Sequence, residues 1–217
     1  MTPYRPEIPH DWSLVPAAMK AAIDGCRSGA LPWPLTLAGP VGCGKTCAAL
    51  CMWDEVTDGT RIFRTVTDLA DKFHHAKMTD AGEVLVMWEY LTAAKLVVLD
   101  DLGARSPSEM TNEMVLSLLM RRIARPTVVT TNLTSLDQIT RMYDDRITSR
   151  LSAGTVVMPS LAKLPDMRVA RSSCRRIARA EAGGDEIEGL VAVRKPGDSV
   201  IVQPMTPNPS EAKETTE

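Results

Sequence analysis

Residues 39 to 46, Gly-Pro-Val-Gly-Cys-Gly-Lys-Thr, match the spacing G-x-x-x-x-G-K-[ST]. Few short patterns constrain a fold as tightly. The pattern needs a strand leading in, a tight turn, and a helix leading out. The glycines let the backbone curl until successive N–H groups point at one anion. The helix N-terminus adds its partial positive charge. Both flanks agree. Leu35-Thr-Leu-Ala38 reads as a short buried strand, and Cys47-Ala-Ala-Leu-Cys-Met-Trp53 as a buried helix. Lys45 is expected to reach the β- and γ-phosphates of a nucleotide, and the Thr46 hydroxyl to bind Mg²⁺. Gly39, Pro40, Val41, Gly42, Cys43, Gly44, Lys45, Thr46 and Cys47 are therefore the candidate nucleotide-binding residues.

A strand–loop–helix unit cannot stand alone, and the chain supplies more. Before it, residues 1–34 carry six prolines, and only 17–28 could be helical. After it, Ile62–Val66 reads as a second strand. Thr67 or Asp68 is expected to cap a helix that breaks over 78–82, and a further helix is expected over 83–92. Leu96-Val-Val-Leu99 is a continuous apolar run, a strand buried on both faces. A helix over 108–123, a strand at 127–131, one or two helices over 135–151 and a strand at 155–158 complete the alternation. Strands alternating with helices imply a parallel sheet covered on both faces. An arginine-rich helix is expected over 165–182. Leu190–Arg194 and Ser199–Val202 flank Lys-Pro-Gly-Asp, so a β-hairpin is expected there. Residues 204–217 are rich in Pro, Thr and Glu and read as a disordered tail.

The chain's 217 residues allow one sizeable core. No apolar run approaches the roughly 20 residues that cross a membrane. No basic-then-apolar leader opens the sequence, so a cytoplasmic location with reduced thiols is expected. The net charge of −2 is uneven. Residues 181–217 carry eight acids and three bases, leaving 19 acids and 22 bases elsewhere. The mildly basic body permits contact with nucleic acid without requiring it.

A second chemical pair follows the third strand. Asp100 and Asp101 end an apolar strand at its C-terminal edge, where doubly wound sheets bind ligands. Asp100 is expected to hold Mg²⁺, and Asp101 to orient or deprotonate the water that attacks the γ-phosphate. Asn132 closes the next apolar strand. It could contact that water or simply cap the following helix.

GPVGCGKT, LVVLDDLG, PTVVTTNLT and DDRITSRL, in this order, resemble the AAA+ ATPases of the DnaC/DnaI/IstB-like family of helicase loaders and transposition helpers. The resemblance spans about residues 35–170. It implies an α/β P-loop NTPase fold: a five-stranded parallel AAA+ sheet of the ASCE type, helices on both faces, a short helical lid and a C-terminal β-hairpin and tail. On that reading the chain divides into an extension (1–34), a core (35–160), a lid (161–183), a hairpin (184–203) and a tail (204–217). The resemblance gives Asn132 the first sensor position and Asp101 the place of a catalytic Glu. Arg146 and Arg150 lie in the segment that supplies an arginine finger to a neighbouring subunit. Arg150 is preferred, and a surface ion pair with Asp144 or Asp145 is the other reading of either. Arg168, or Arg171 beside it, would be the second sensor.

The implied activity is ATP hydrolysis with Mg²⁺, weak alone and raised by oligomerisation or DNA. The implied task is to bind single-stranded DNA as an oligomer and load a replicative helicase. An IstB-like helper that serves a transposase on duplex DNA is the alternative, and a nucleotide-switched adaptor that scarcely hydrolyses ATP is a third. DNA would touch two stretches, His74–Gly82 and Ala104–Met110, which offer His74, His75, Lys77, Arg105 and Ser108. Arg171, Arg175, Arg176 and Arg179 could form a DNA-facing strip or a solvated helix face. Such loaders usually carry a separate N-terminal helicase-binding region; here 38 proline-rich residues precede Gly39, so a short peptide, the C-terminal hairpin and tail, or a separate protein is expected to dock the partner. Cys43, Cys47 and Cys51 recur every four residues and read as small buried thiols rather than a metal site.

Overall fold

The computed structural model describes residues 6–157 with their side chains, and the backbone of the strands Leu190–Val193 and Val200–Pro204. The expected lid, its arginines from Arg168 to Arg179, and the tail lie outside the described residues.

A one-turn helix at Trp12–Leu14 and α1 (Ala17–Arg27) precede β1 (Leu35–Ala38). All four residues of β1 are buried. The loop then turns into α2 (Lys45–Glu55), with Gly44 at φ 89° just before it. That left-handed conformation is open to glycine at no steric cost. β2 (Arg61–Thr65), α3 (Val66–Thr79), α4 (Ala81–Ala93), β3 (Leu96–Leu102), α5 (Glu109–Arg121), β4 (Thr127–Thr131), α6 (Leu136–Met142), α7 (Asp145–Ser152) and β5 (Thr155–Val157) follow. The strands β6 (Leu190–Val193) and β7 (Val200–Pro204) come last.

The sheet order is β2-β3-β4-β1-β5-β7-β6. The first five strands are parallel, as expected. β7 joins β5 in parallel and β6 pairs with β7 antiparallel, so the expected hairpin extends the sheet. β4 sits between β1 and β3, which brings the C-terminal ends of the loop strand and the Asp strand to either side of Asn132.

Alternation along each strand builds two cores. Leu35, Leu37, Phe63, Val98 and Val128 face α1 and α2. Ile62, Val97, Leu99 and Val129 face the layer of α3 to α7. Side-chain caps set the helix starts. Thr65 accepts the Asp68 N–H, Asp80 that of Gly82, Ser108 that of Thr111, Ser135 that of Gln138 and Asp144 that of Arg146. The cap of α3 is thus Thr65, not Thr67 or Asp68, because β2 ends one residue early and passes straight into helix. The expected break over 78–82 narrows to Asp80, which ends α3 and starts α4.

At the edge opposite the site, Arg122 is buried to 1% exposure. Its guanidinium donates to the carbonyls of Leu91, Ala94 and Pro126 and to the Thr127 hydroxyl. It ties the ends of α4 and α5 to the start of β4. Burial pulls its pKa down to about 10, so it stays charged at neutral pH.

Candidate functional site

The C-terminal ends of β1, β3 and β4 meet at a cavity of about 160 Å³. Val41, Gly42, Gly44, Lys45, Thr46, Cys47, Asp100, Asp101 and Asn132 line it, and so does Ile8. Gly39, Pro40 and Cys43, also expected here, stand behind the wall. The carbonyls of Gly39 and Pro40 each accept from Lys45 Nζ at 2.7 Å, and Cys43 is 2% exposed. Lys45 Nζ also donates to Asn132 Oδ1 at 3.0 Å. Burial pulls the Lys45 ammonium below the ordinary lysine value, and its neighbours Cys43, Asp101 and Asp100 oppose this. Among the described residues it donates to carbonyls, an amide oxygen and the Cys43 sulfur, while Asp100 and Asp101 act on it only through their charge. An anion in the loop would therefore meet a desolvated cation held by neutral acceptors.

Thr46 Oγ1 donates to Asp100 Oδ1 at 3.1 Å. A hydroxyl and a carboxylate at the loop's edge are the hard oxygen donors that Mg²⁺ takes. Asp100 is 6% exposed, and burial pushes its carboxyl above the usual carboxylate range. The Thr130 hydroxyl works against this, donating to the same Oδ1 at 2.6 Å, while the charge of Asp101 adds to the upward push.

The backbone explains how two consecutive aspartates take different positions. β3 runs on through Asp100 and Asp101 to Leu102, beyond the expected end at Leu99. Its register against β4 shifts between Leu99 and Leu102, and Asp101 sits at φ 60°. Asp is among the few residues that tolerate this conformation, and such bulges re-aim side chains beside active sites. The Asp101 N–H donates to Thr130 Oγ1 at 3.0 Å. Thr130, fully buried, thus holds both aspartates, and sequence reasoning passed over it. Its one signal was a hydroxyl where a buried strand usually carries an aliphatic chain. Asp101 also lines an adjoining cavity of about 150 Å³ with Arg105 and Tyr143.

The arginines lie elsewhere. Arg146 is 73% exposed and bidentate on Asp144. That pairing and the Arg146 N–H hold the Asp144 carboxyl down at about 2. The surface ion pair is therefore present for Arg146. Arg150 has no ion-pair partner among the described residues and lines a groove with Leu116, Met120, Asp145, Arg146 and Ser149. Neither arginine lines the cavity of Lys45.

The two expected DNA stretches do meet, but the first is helical rather than a loop. His74 to Thr79 finish α3, and Ala81 and Gly82 begin α4. His74, Lys77, Ser108 and Met110 line one surface groove of about 820 Å³. Lys77 is paired there with Glu113 at 2.9 Å. Nearby, Met78, Leu85 and Val86 are 73%, 64% and 65% exposed. The three thiols of α2 and the loop are buried, Cys43 against Lys45 and Cys47 against the N-terminal segment. Cys47 Sγ lies 3.6 Å from the Asp11 carbonyl, and Trp12, Leu14 and Val15 pack over the cluster. Among the described residues no helix is long and apolar enough to cross a membrane.

A family sequence model described as IstB-like ATP binding protein matches residues 33–152. No curated protein matches the sequence. Among solved structures, the replication initiator DnaA bound to AMPPCP and single-stranded DNA superposes with a TM-score of 0.62 at 17% identity, over 76% of this chain and 52% of that one. DnaI superposes at 0.54 with 20% identity, over 67% and 90%. The DnaC helicase loader superposes at 0.50 with 20% identity, over 64% and 92%. The chain spans about half the length of DnaA. At these identities the likeness is one of fold, and that fold is the AAA+ one.

Proposed function

Because the chain belongs to the IstB-like ATP-binding protein family, we propose that it is an ATPase completed between subunits, which assembles on single-stranded DNA and loads a replicative helicase. One observation carries the catalytic part. Lys45, Thr46, Asp100, Asp101 and Asn132 line one cavity, while Arg146 and Arg150 line a groove outside it. A hydrolytic site needs a cation on the γ-phosphate that these five residues supply only in part, so Arg150 of one subunit serves the cavity of the next.

The roles follow from chemistry. The loop N–H groups and the start of α2 bind the phosphates, and Lys45 leaves the carbonyls of Gly39 and Pro40 to meet them. Thr46 and Asp100 would hold Mg²⁺, which would supply positive charge beside the phosphates. Asp101 and Asn132 orient the attacking water, and Asp101 accepts its proton. Asp101 has a shorter reach than a glutamate, which fits slow turnover. Arg168, the expected second sensor, would contact phosphate from the lid.

The DNA part rests on the family and on the fold shared with DnaA, DnaI and DnaC. The groove of His74, Lys77 and Ser108 is the surface proposed for the strand. Membership of the IstB-like ATP-binding family leaves a second reading, a transposition helper on duplex DNA. Fluorescence anisotropy of labelled single-stranded and duplex DNA, with ADP and with a non-hydrolysable ATP analogue, separates them. ATP-dependent preference for the single strand supports the loader, and pull-down of a helicase comes next. Preference for duplex supports the helper. No binding in any state overturns both and leaves a nucleotide-switched adaptor.

A further inference from the structure

Residues 6–16 precede the segment matched by the family model, yet Ile8 lines the nucleotide cavity. Ile8 is 37% exposed at the rim. Behind it, His10 makes two contacts. Nδ1 is 2.7 Å from the Ile8 carbonyl, and Nε2 is 2.6 Å from Asp54 Oδ2 at the far end of α2. Two residues on, Trp12 Nε1 donates to Glu55 Oε1 at 2.7 Å. Glu55 is also paired with Arg27 of α1, whose guanidinium lies over the Trp12 ring. The segment then passes so close to the loop that a Cβ on Gly44 would lie 3.2 Å from Pro16 Cδ.

We propose that residues 8–14 form a strap that closes the nucleotide cavity, and that His10 with Asp54, supported by Trp12 with Glu55, is the latch that sets how long nucleotide stays. The inference rests on the nucleotide site proposed above. α2 couples the two ends: its first turn carries Lys45 and Thr46, and its last carries Asp54 and Glu55. His10 is a positioning residue. Both of its partners are oxygen acceptors, so both contacts are made at once only when each ring nitrogen carries a proton. Among the described residues, Asp54 of α2 pairs with the ring and Asp11 on the strap itself interacts with it through its charge.

The test is release of a fluorescent N-methylanthraniloyl-ADP, chased with unlabelled ADP in a stopped-flow instrument. The full-length protein and its His10→Ala and Ile8→Ala variants are compared. His10→Ala is expected to speed release about fivefold, the effect of one lost hydrogen bond. A structural role alone would lower the melting temperature and leave the release rate unchanged. Ile8→Ala removes only an exposed side chain, so it folds whatever becomes of His10→Ala, and it too is expected to speed release. Equal release from all three proteins, with binding that still requires Lys45, overturns the latch alone. No binding by the wild type, or binding that survives Lys45→Ala, overturns the nucleotide site as well.

Discussion

Thr130→Val exchanges one hydroxyl for a methyl at a position with no solvent exposure. Two bonds go with it. The bond to Asp100, 2.6 Å long, has a carboxylate acceptor and is worth about 1.5–3 kcal/mol. The bond from the Asp101 N–H, at 3.0 Å, leaves a donor without that partner, which costs about 1–3 kcal/mol if water cannot replace it. Unfolding in urea should therefore show a loss of about 2.5–6 kcal/mol at neutral pH. The direction for the metal follows from the same geometry. The hydroxyl is the largest influence holding the Asp100 carboxyl down against burial, so without it the carboxyl shifts further toward its neutral form. A neutral carboxyl is a poor Mg²⁺ ligand, and removing such an outer partner typically costs 10–100-fold in metal affinity (~1.4–2.8 kcal/mol). A Mg²⁺ titration of ATP hydrolysis should shift to higher concentration by about that factor. Thr130→Ser keeps the hydroxyl and should stay near wild type in both assays. A valine variant within about 0.5 kcal/mol of wild type, with an unmoved Mg²⁺ titration, would show that Thr130 does not organise the two aspartates.

A site shared between subunits predicts complementation. Lys45→Ala and Arg150→Ala should each be inactive in ATP hydrolysis, and mixing them should restore turnover, because one supplies the finger and the other the cavity; a mixture as dead as its parts would place the finger elsewhere. Arg146→Ala should retain most activity, since its guanidinium is engaged by Asp144. Arg122→Met should cost about 3–5 kcal/mol by orphaning buried carbonyls, or roughly 10 °C in melting temperature, measured by differential scanning fluorimetry. In a Cys174→Ser background the four remaining thiols are all buried, and burial pushes that of Cys51 up to about 12. The native protein at pH ~8 should react with less than about one equivalent of a thiol reagent, against all four thiols after unfolding. Alkylation of Cys43, once achieved, should block nucleotide binding.

The sequence by itself determined the alternation of elements and the chemical set. β1 and β4 lie where apolar runs placed them, because a strand buried on both faces leaves no choice of residue. Lys45, Thr46, Asp100, Asp101 and Asn132 were legible because each follows a strand, and parallel strands deliver their C-terminal ends to one edge. Boundaries were less legible where a cap could be any of several Ser, Thr or Asp residues, as at Thr65. Only the tertiary structure decided the rest. The bulge that turns Asp101 away from Asp100 depends on a register between β3 and β4 that neither strand encodes alone. Thr130 matters through partners 29 and 30 residues away. The strap is the clearest case. A proline-rich start carries no periodicity, and Ile8 reaches the cavity rim because the last turn of α2 supplies the carboxylates that hold His10 and Trp12.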